Sequence, residues 1–283
     1  MSLKQRLFQL GFDGGRKYIV DEDPGYICPI CLDIFRDPDL LTLEHVPPAA
    51  VGGKVLCLLC KPCNNRSGHS MDAALHERAE AAQVLQTGKT GRFLKLKIDD
   101  LTLNGRIVRK GDAMEFQVAA GQNDPAKIEE FQDRRNSESG AQIQVWYPHR
   151  FNDHAFMVGY LKVAYLYAFA KLGYGYILGP CLESVRLQIR EPGKKTIWKW
   201  WLGRGGDLSQ TLLYLIDRPL SCIAVAINEH VIVLPGLEPC DHYERIEQLT
   251  KDTPPDKLLG EFHSTHAFAA PTTMELLFDQ SPS

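Results

Sequence analysis

The chain has 283 residues, with 32 Lys and Arg against 35 Asp and Glu and a net charge of −3. That balance excludes a globally basic surface for nucleic acid and leaves any phosphate contact to a local site. The length allows one large domain or two ordinary ones with real cores, and we read two.

Residues 1–27 contain the turn signals Asp13-Gly14-Gly15 and Asp23-Pro24-Gly25, so they read as a short lead-in. Met1 to Phe8 hold no apolar stretch long enough for a signal peptide. From 28 to about 67 the chain is densely punctuated, as in a small metal-stapled unit that cannot build a core by burial alone. Two C-x2-C knuckles, Cys28-Pro29-Ile30-Cys31 and Cys60-Lys61-Pro62-Cys63, stand 28 residues apart. Four thiolates in two such knuckles are the usual supply for a closed tetrahedral zinc site. Cys57 offers a third thiol at the same spacing, so the second pair is Cys60/Cys63 or Cys57/Cys60. Between the knuckles lie Leu43-Glu44-His45-Val46-Pro47-Pro48 and Val51-Gly52-Gly53.

A modest apolar stripe at Met71, Leu75, Ala79, Ala82 and Leu85 predicts a helix from Ser67 to Leu85. Thr87 to Gly91 reads as a linker, which places the division at 1–88 and 89–283. Beyond it, Phe93–Ile98 and Met114–Val118 alternate as strands, with a hairpin turn expected at Asn104-Gly105. Asp124–Asn136 has helical spacing, and Gln142–Tyr147 reads as a strand. The apolar run Ala155–Ala170 is short for a membrane span and carries Lys162 in its middle, so a buried core helix ending at Gly173 is expected. Lys162 either snorkels to solvent or is paired in a pocket. Ser184–Arg190, Thr196–Leu202, Cys222–Ile227 and Val231–Leu234 read as strands, and the tail from Thr253 as loosely packed. Cys57, Cys181, Cys222 and Cys240 lack framework spacing, which suggests a reduced, cytoplasmic compartment.

Cys28, Cys31, Glu44-His45-Val46-x-Pro, Gly52-Gly53, Cys60, Cys63, Asn64 and the run from Gly68 to Asp72 together resemble the HNH endonucleases, the ββα-metal nucleases, in their four-cysteine, zinc-stapled form. The resemblance implies Cys28, Cys31, Cys60 and Cys63 as structural zinc ligands, because the family pattern sets Asn directly after the last cysteine. It implies His45 as the base that activates water, since an imidazole accepts a proton near neutrality. It implies Glu44 and Asn64 as ligands of a catalytic Mg²⁺ or Mn²⁺. The asparagine that braces the histidine loop in many relatives has no counterpart between Gly53 and Leu59.

Arg66 and His69 follow as candidate phosphate contacts, whereas Asp72 is expected to serve the local fold. Trp198–Trp201 interleaves aromatics with Lys199, a pattern found in single-strand binders and equally in cores. His149-Arg150 with Asp153-His154, Asp241-His242 and His263-x2-His266 are weaker polar clusters. The expected architecture is α+β: a small zinc-stapled ββα-metal domain, then a larger α+β domain with a mainly antiparallel sheet and one long buried helix. The expected activity is metal-dependent cleavage of DNA in a cytoplasmic setting, with no membrane. The alternatives are a ribonuclease with the same centre, or a non-catalytic zinc module that binds nucleic acid or protein.

Overall fold

The first helix begins two residues into the chain because Ser2 and Gln5 close a capping box. The Gln5 amide donates to Ser2 Oγ at 3.2 Å, and the Ser2 amide donates to Gln5 Oε1 at 2.9 Å. This satisfies donors that a helix start leaves orphaned. Helix α1 (Leu3–Gly15) therefore replaces the expected lead-in; Ser-x-x-Gln was the missed signal. The computed structural model describes residues 1–19, 23–87, 94–98, 100–111, 113–137, 144–146, 151–197, 201–204, 211–228, 230–253, 257 and 262–280. Most of the expected linker 87–91, the His149-Arg150 pair and Trp198–Trp200 lie outside these.

By packing, the described chain falls into two compact units, Met1–Leu75 with Asp153–Ser283, and His76–Asn152. The sequence reading divided it at 88. The first unit continues with two short paired strands, β1 (Tyr26–Ile27) and β2 (Ile34–Phe35), then the antiparallel pair β3 (Leu41–Val46) and β4 (Lys54–Cys60). Helix α2 (Lys61–Ser67), a π turn over Gly68–Asp72 and α3 (Ala73–Thr87) follow. The helix expected over 67–85 is thus present within one continuous helical run from Lys61 to Thr87, interrupted only by a π turn.

In the second unit, β5 (Leu94–Ile98), β6 (Leu101–Lys110), β7 (Ala113–Val118) and β8 (Gln144–Trp146) form an antiparallel sheet in the order β7-β6-β5-β8. It is accompanied by α4 (Pro125–Ser137). Leu94 and Leu96 are buried while Lys95 and Lys97 are exposed, the period of two expected of a half-buried strand. The hairpin turn expected at Asn104-Gly105 is a correction: both residues lie inside β6, and the reversal comes before Leu101. Glycine suits position 105 because a Cβ there would stand 2.4 Å from the Gln117 carbonyl oxygen, a close approach of neighbouring backbone.

The first unit resumes with α5 (Asp153–Leu172), α6 (Tyr174–Ile177) and α7 (Glu183–Arg190). The strand expected at 184–190 is a helix instead, because Val185 and Ile189 bury one face at a spacing of four. Five strands follow: β9 (Trp201–Arg204), β10 (Leu212–Arg218), β11 (Cys222–Ile227), β12 (His230–Pro235) and β13 (His263–Ala269). They form an antiparallel sheet in the order β13-β10-β11-β12-β9, and α8 (His242–Asp252) precedes the last strand. Every residue of β11 is buried. Ile223, Val225 and Ile227 join the core that contains α5, whereas Cys222 and Ala224 join a second cluster with Ile246 of α8. Helices cover both faces, so this strand is apolar throughout rather than alternating.

Helix α5 is long and apolar enough to cross a membrane by composition, yet 78% of its most apolar window is buried in the protein. It is the core helix that the sequence suggested. It shares a buried core with Tyr26, Leu41 and Leu58 of the N-terminal segment and with Val225 and Ile232 of the sheet. Residues 153–280 and the N-terminal 75 thus share one core.

Two further expectations change. Cys181 and Cys240 form a disulfide, which overturns their reading as scattered thiols. The tail is also packed in: the Asp279 carboxylate accepts from the amides of Tyr174 and Gly175 at 2.7 and 2.9 Å.

Candidate functional site

The zinc knuckles arise from two backbone reversals. Around Pro29 and Ile30 the chain turns between β1 and β2, with the Leu32 amide donating to the Cys28 carbonyl at 2.8 Å. Cys60 ends β4 and caps α2, and Cys63 sits in the first turn of that helix. The four sulfurs lie within 4.8 Å of one another, and Cys31 and Cys60 Sγ are 3.7 Å apart. A tetrahedral zinc at about 2.3 Å from each sulfur has edges near ~3.8 Å, so the set fits structural zinc. Hydrogen bonds from Cys28, then Cys31 and Cys63, hold the Cys60 thiol far below its ordinary range. Cys57 lies outside the cluster on β4, where burial pushes its thiol up. It is a small core residue, and the second knuckle is Cys60/Cys63.

Strands β3 and β4 and helix α2 make a ββα unit. Pairing runs from Leu41↔Cys60 to Val46↔Lys54, with a bulge between Glu44 and His45. The extra residue of this bulge is Leu56 on β4, since Glu44 pairs with Cys57 and His45 with Val55. On β3 successive side chains still point to opposite faces: Glu44 is 3% exposed, while His45 is half-buried. Among the described residues nothing is hydrogen-bonded to the His45 ring. Its backbone is braced instead, because the Tyr167 hydroxyl of α5 donates to the Val46 carbonyl at 3.1 Å. Gly53 also passes so close to Pro47 that a Cβ there would lie 1.4 Å from the Pro47 carbonyl oxygen.

Asn64, on α2, donates from Nδ2 to Thr42 Oγ1 at 2.8 Å, and Thr42 Oγ1 donates to the Leu59 carbonyl. Thr42 and Glu44 share a face of β3 at a spacing of two, so Asn64 is tied to the strand face that carries Glu44. Arg66 is exposed and donates to the Arg190 carbonyl of α7 at 3.2 Å, and His69 is exposed on the π turn.

The sequence reading left Glu44 without a partner, and it has one. Lys162 Nζ lies 2.6 Å from Glu44 Oε1 and 3.0 Å from Asp72 Oδ1, and only 1% of its side chain is exposed. Burial works against the ammonium, but Glu44 and Asp72 outweigh it and raise its pKa. Burial also lifts the Glu44 carboxyl, against the pull of Lys162. Taking one partner from such a buried pair costs about 3–5 kcal/mol, since the other charge is left uncompensated. Asp72 therefore serves the local fold by binding Lys162. The signal was present in the sequence as a lysine in the middle of a 20-residue apolar helix, whereas its partners, 118 and 90 positions away, were not legible.

The other polar clusters, among the described residues, do not gather into metal sites. Among the described residues the only group with metal-binding geometry is the four cysteines. His263 pairs with Asp217 at 2.9 Å.

No curated protein and no solved structure matches this chain. Residues 28–80 match the family model of the HNH endonucleases. That span holds both knuckles, the β3–β4 hairpin, α2 and the start of α3, and it supports a nuclease function and a nucleic-acid substrate in general terms. The chain therefore carries, at residues 28–80, an HNH endonuclease segment with a four-cysteine site suited to zinc.

Proposed function

We propose that the protein is a metal-dependent endonuclease that hydrolyses DNA phosphodiester bonds, with His45 as its general base. The observation that carries this reading is the half-buried His45 imidazole, on β3 of a ββα unit within the matched segment. With solvent access and no competing partner among the described residues, the ring takes the proton from a water as its oxygen attacks phosphorus and the bond to the 3′ oxygen breaks. Glu44 and Asn64 are the oxygen ligands we assign to a catalytic Mg²⁺ or Mn²⁺. Asn64 fits because its amide nitrogen is used on Thr42 and its carbonyl oxygen is turned away from that bond. Glu44 fits through the oxygen that Lys162 does not hold at 2.6 Å. When bound, the cation offsets charge on the phosphate and on the leaving oxygen.

Arg66 and His69, both exposed, are the phosphate contacts in this reading, and Arg66 retains donors beyond the one given to Arg190. A role in defence against foreign DNA completes the proposal, on the analogy of other two-part nucleases. The test is plasmid nicking and linearisation by wild type and His45→Ala, side by side, in Mg²⁺, Mn²⁺ or EDTA. Cutting that needs the cation and is lost in the variant is the expected result. Equal cutting by both proteins removes His45 as the base. Zinc-loaded protein that cuts RNA alone makes the chain a ribonuclease, and one that cuts neither polymer makes it a binding module.

A further inference from the structure

We propose that Lys162, which lies outside the matched segment, is a positioning residue for Glu44 and makes helix α5 part of the catalytic centre. This rests on the nuclease reading above. Three observations lead to it. First, the ammonium is set in an apolar helix at 1% exposure, between buried Leu161 and Val163, so its stem has no freedom to follow solvent. It meets Glu44 Oε1 at 2.6 Å and both Asp72 oxygens at 3.0 and 3.2 Å. The ammonium is thus enclosed by two carboxylates, hydrogen-bonded to one and ion-paired with the other.

Second, α5 and α6 are fastened to three backbone carbonyls between Ile27 and Val46, two of them inside the matched segment. The Tyr165 hydroxyl donates to Pro29 in the first knuckle at 2.5 Å. Tyr167 donates to Val46 beside His45 at 3.1 Å, and Tyr174 to Ile27 at 3.0 Å. A lysine on so fixed a helix holds a carboxylate at a fixed place. Third, one ammonium against two carboxylates leaves a net negative charge in a buried setting. Apolar residues of similar volume would be no less stable than such a cluster, so packing alone does not account for three charges here. A carboxylate that ligates a cation does, because it needs an outer partner to fix its rotamer.

The experiment uses the full zinc-loaded chain. Mn²⁺ binding without nucleic acid is measured by electron paramagnetic resonance, beside steady-state plasmid cleavage, for wild type, Lys162→Met, Glu44→Gln and the double variant. Loss of an outer partner costs about 10–100-fold in metal affinity or activity. Lys162→Met is accordingly expected to weaken Mn²⁺ binding and to lower kcat within that range, while KM for DNA stays within about twofold. Because Lys162 acts through Glu44, the double variant is expected to be no worse than Glu44→Gln alone. That comparison holds even where Lys162→Met alone loses its fold, since the double variant removes the buried Glu44 charge with its lysine and leaves only the Asp72 carboxylate, which is 20% exposed.

A double variant about tenfold below Glu44→Gln shows independent roles and overturns the proposal. So does unchanged or tighter Mn²⁺ binding by Lys162→Met in a wild type that cuts. Wild type that neither cuts nor binds Mn²⁺ overturns the nuclease reading itself, and this proposal with it.

Discussion

Replacing Gly53 by Ala tests whether the β3–β4 hairpin is held in the geometry described. The new Cβ would lie 1.4 Å from the Pro47 carbonyl oxygen and 2.4 Å from the carbonyl carbon, both backbone atoms that no rotamer change can clear. One of the two chains must move by well over an ångström. The pairs at risk are those nearest the loop, Val46↔Lys54 and His45↔Val55. At about 1 kcal/mol for each net hydrogen bond, losing two or three costs about 2–3 kcal/mol, before any strain that remains. Gly52→Ala is the control: its φ of +86° is unfavourable for alanine, but open space surrounds it, so it costs about 1–2 kcal/mol.

Urea unfolding followed by circular dichroism, with zinc retained, reads both variants as shifts in midpoint at constant slope. Gly53→Ala is expected to lose more stability than Gly52→Ala, and to lose cleavage activity as the His45 strand shifts. A Gly53→Ala protein within about 0.5 kcal/mol of wild type, or one more stable than Gly52→Ala, would refute the reasoning.

Two other predictions follow from the same geometry. Cys60→Ser is expected to abolish stoichiometric zinc and unfold the N-terminal segment, whereas Cys57→Ala keeps one zinc per chain, as read by atomic absorption; zinc loss in Cys57→Ala would reassign the knuckle. His242 is buried, and burial with the nearby Arg245 charge lowers its pKa from 6.5 to about 4. The folded state then favours the neutral ring, so its share of stability is complete above pH 6.5 and is lost as pH falls toward 4. That share is about 3 kcal/mol. Thermal melts of wild type and His242→Phe across this window are expected to show a flatter acid limb in the variant, and parallel limbs would refute the assignment.

Much of the candidate site was written locally. The two C-x2-C turns, the Glu-His pair and the asparagine after Cys63 lie within 37 residues, and short-range geometry is enough to bring four sulfurs together. The capping box of α1 was legible in the same way, though it was passed over. Segments that can be buried on either a helical or an extended face were less so. Ser184–Arg190 suits both periods, and only its packing against α5 decides for helix. Asn104-Gly105 carries turn residues, yet the Gln117 backbone passing alongside makes the glycine a contact point within a strand.

By itself, the sequence determined the zinc staple, the order of residues at the site and the burial of the 153–172 helix. Each follows from spacing or from an unbroken apolar run. Tertiary structure alone decided that Glu44 is paired, that Asp72 shares its lysine and that Tyr167 braces the strand beside His45. It also joined Cys181 to Cys240. These contacts connect residues 59 to 121 positions apart, where no periodicity relates one partner to the other. They form because burying a charge or a hydroxyl in a shared core requires a partner wherever the chain brings one within reach.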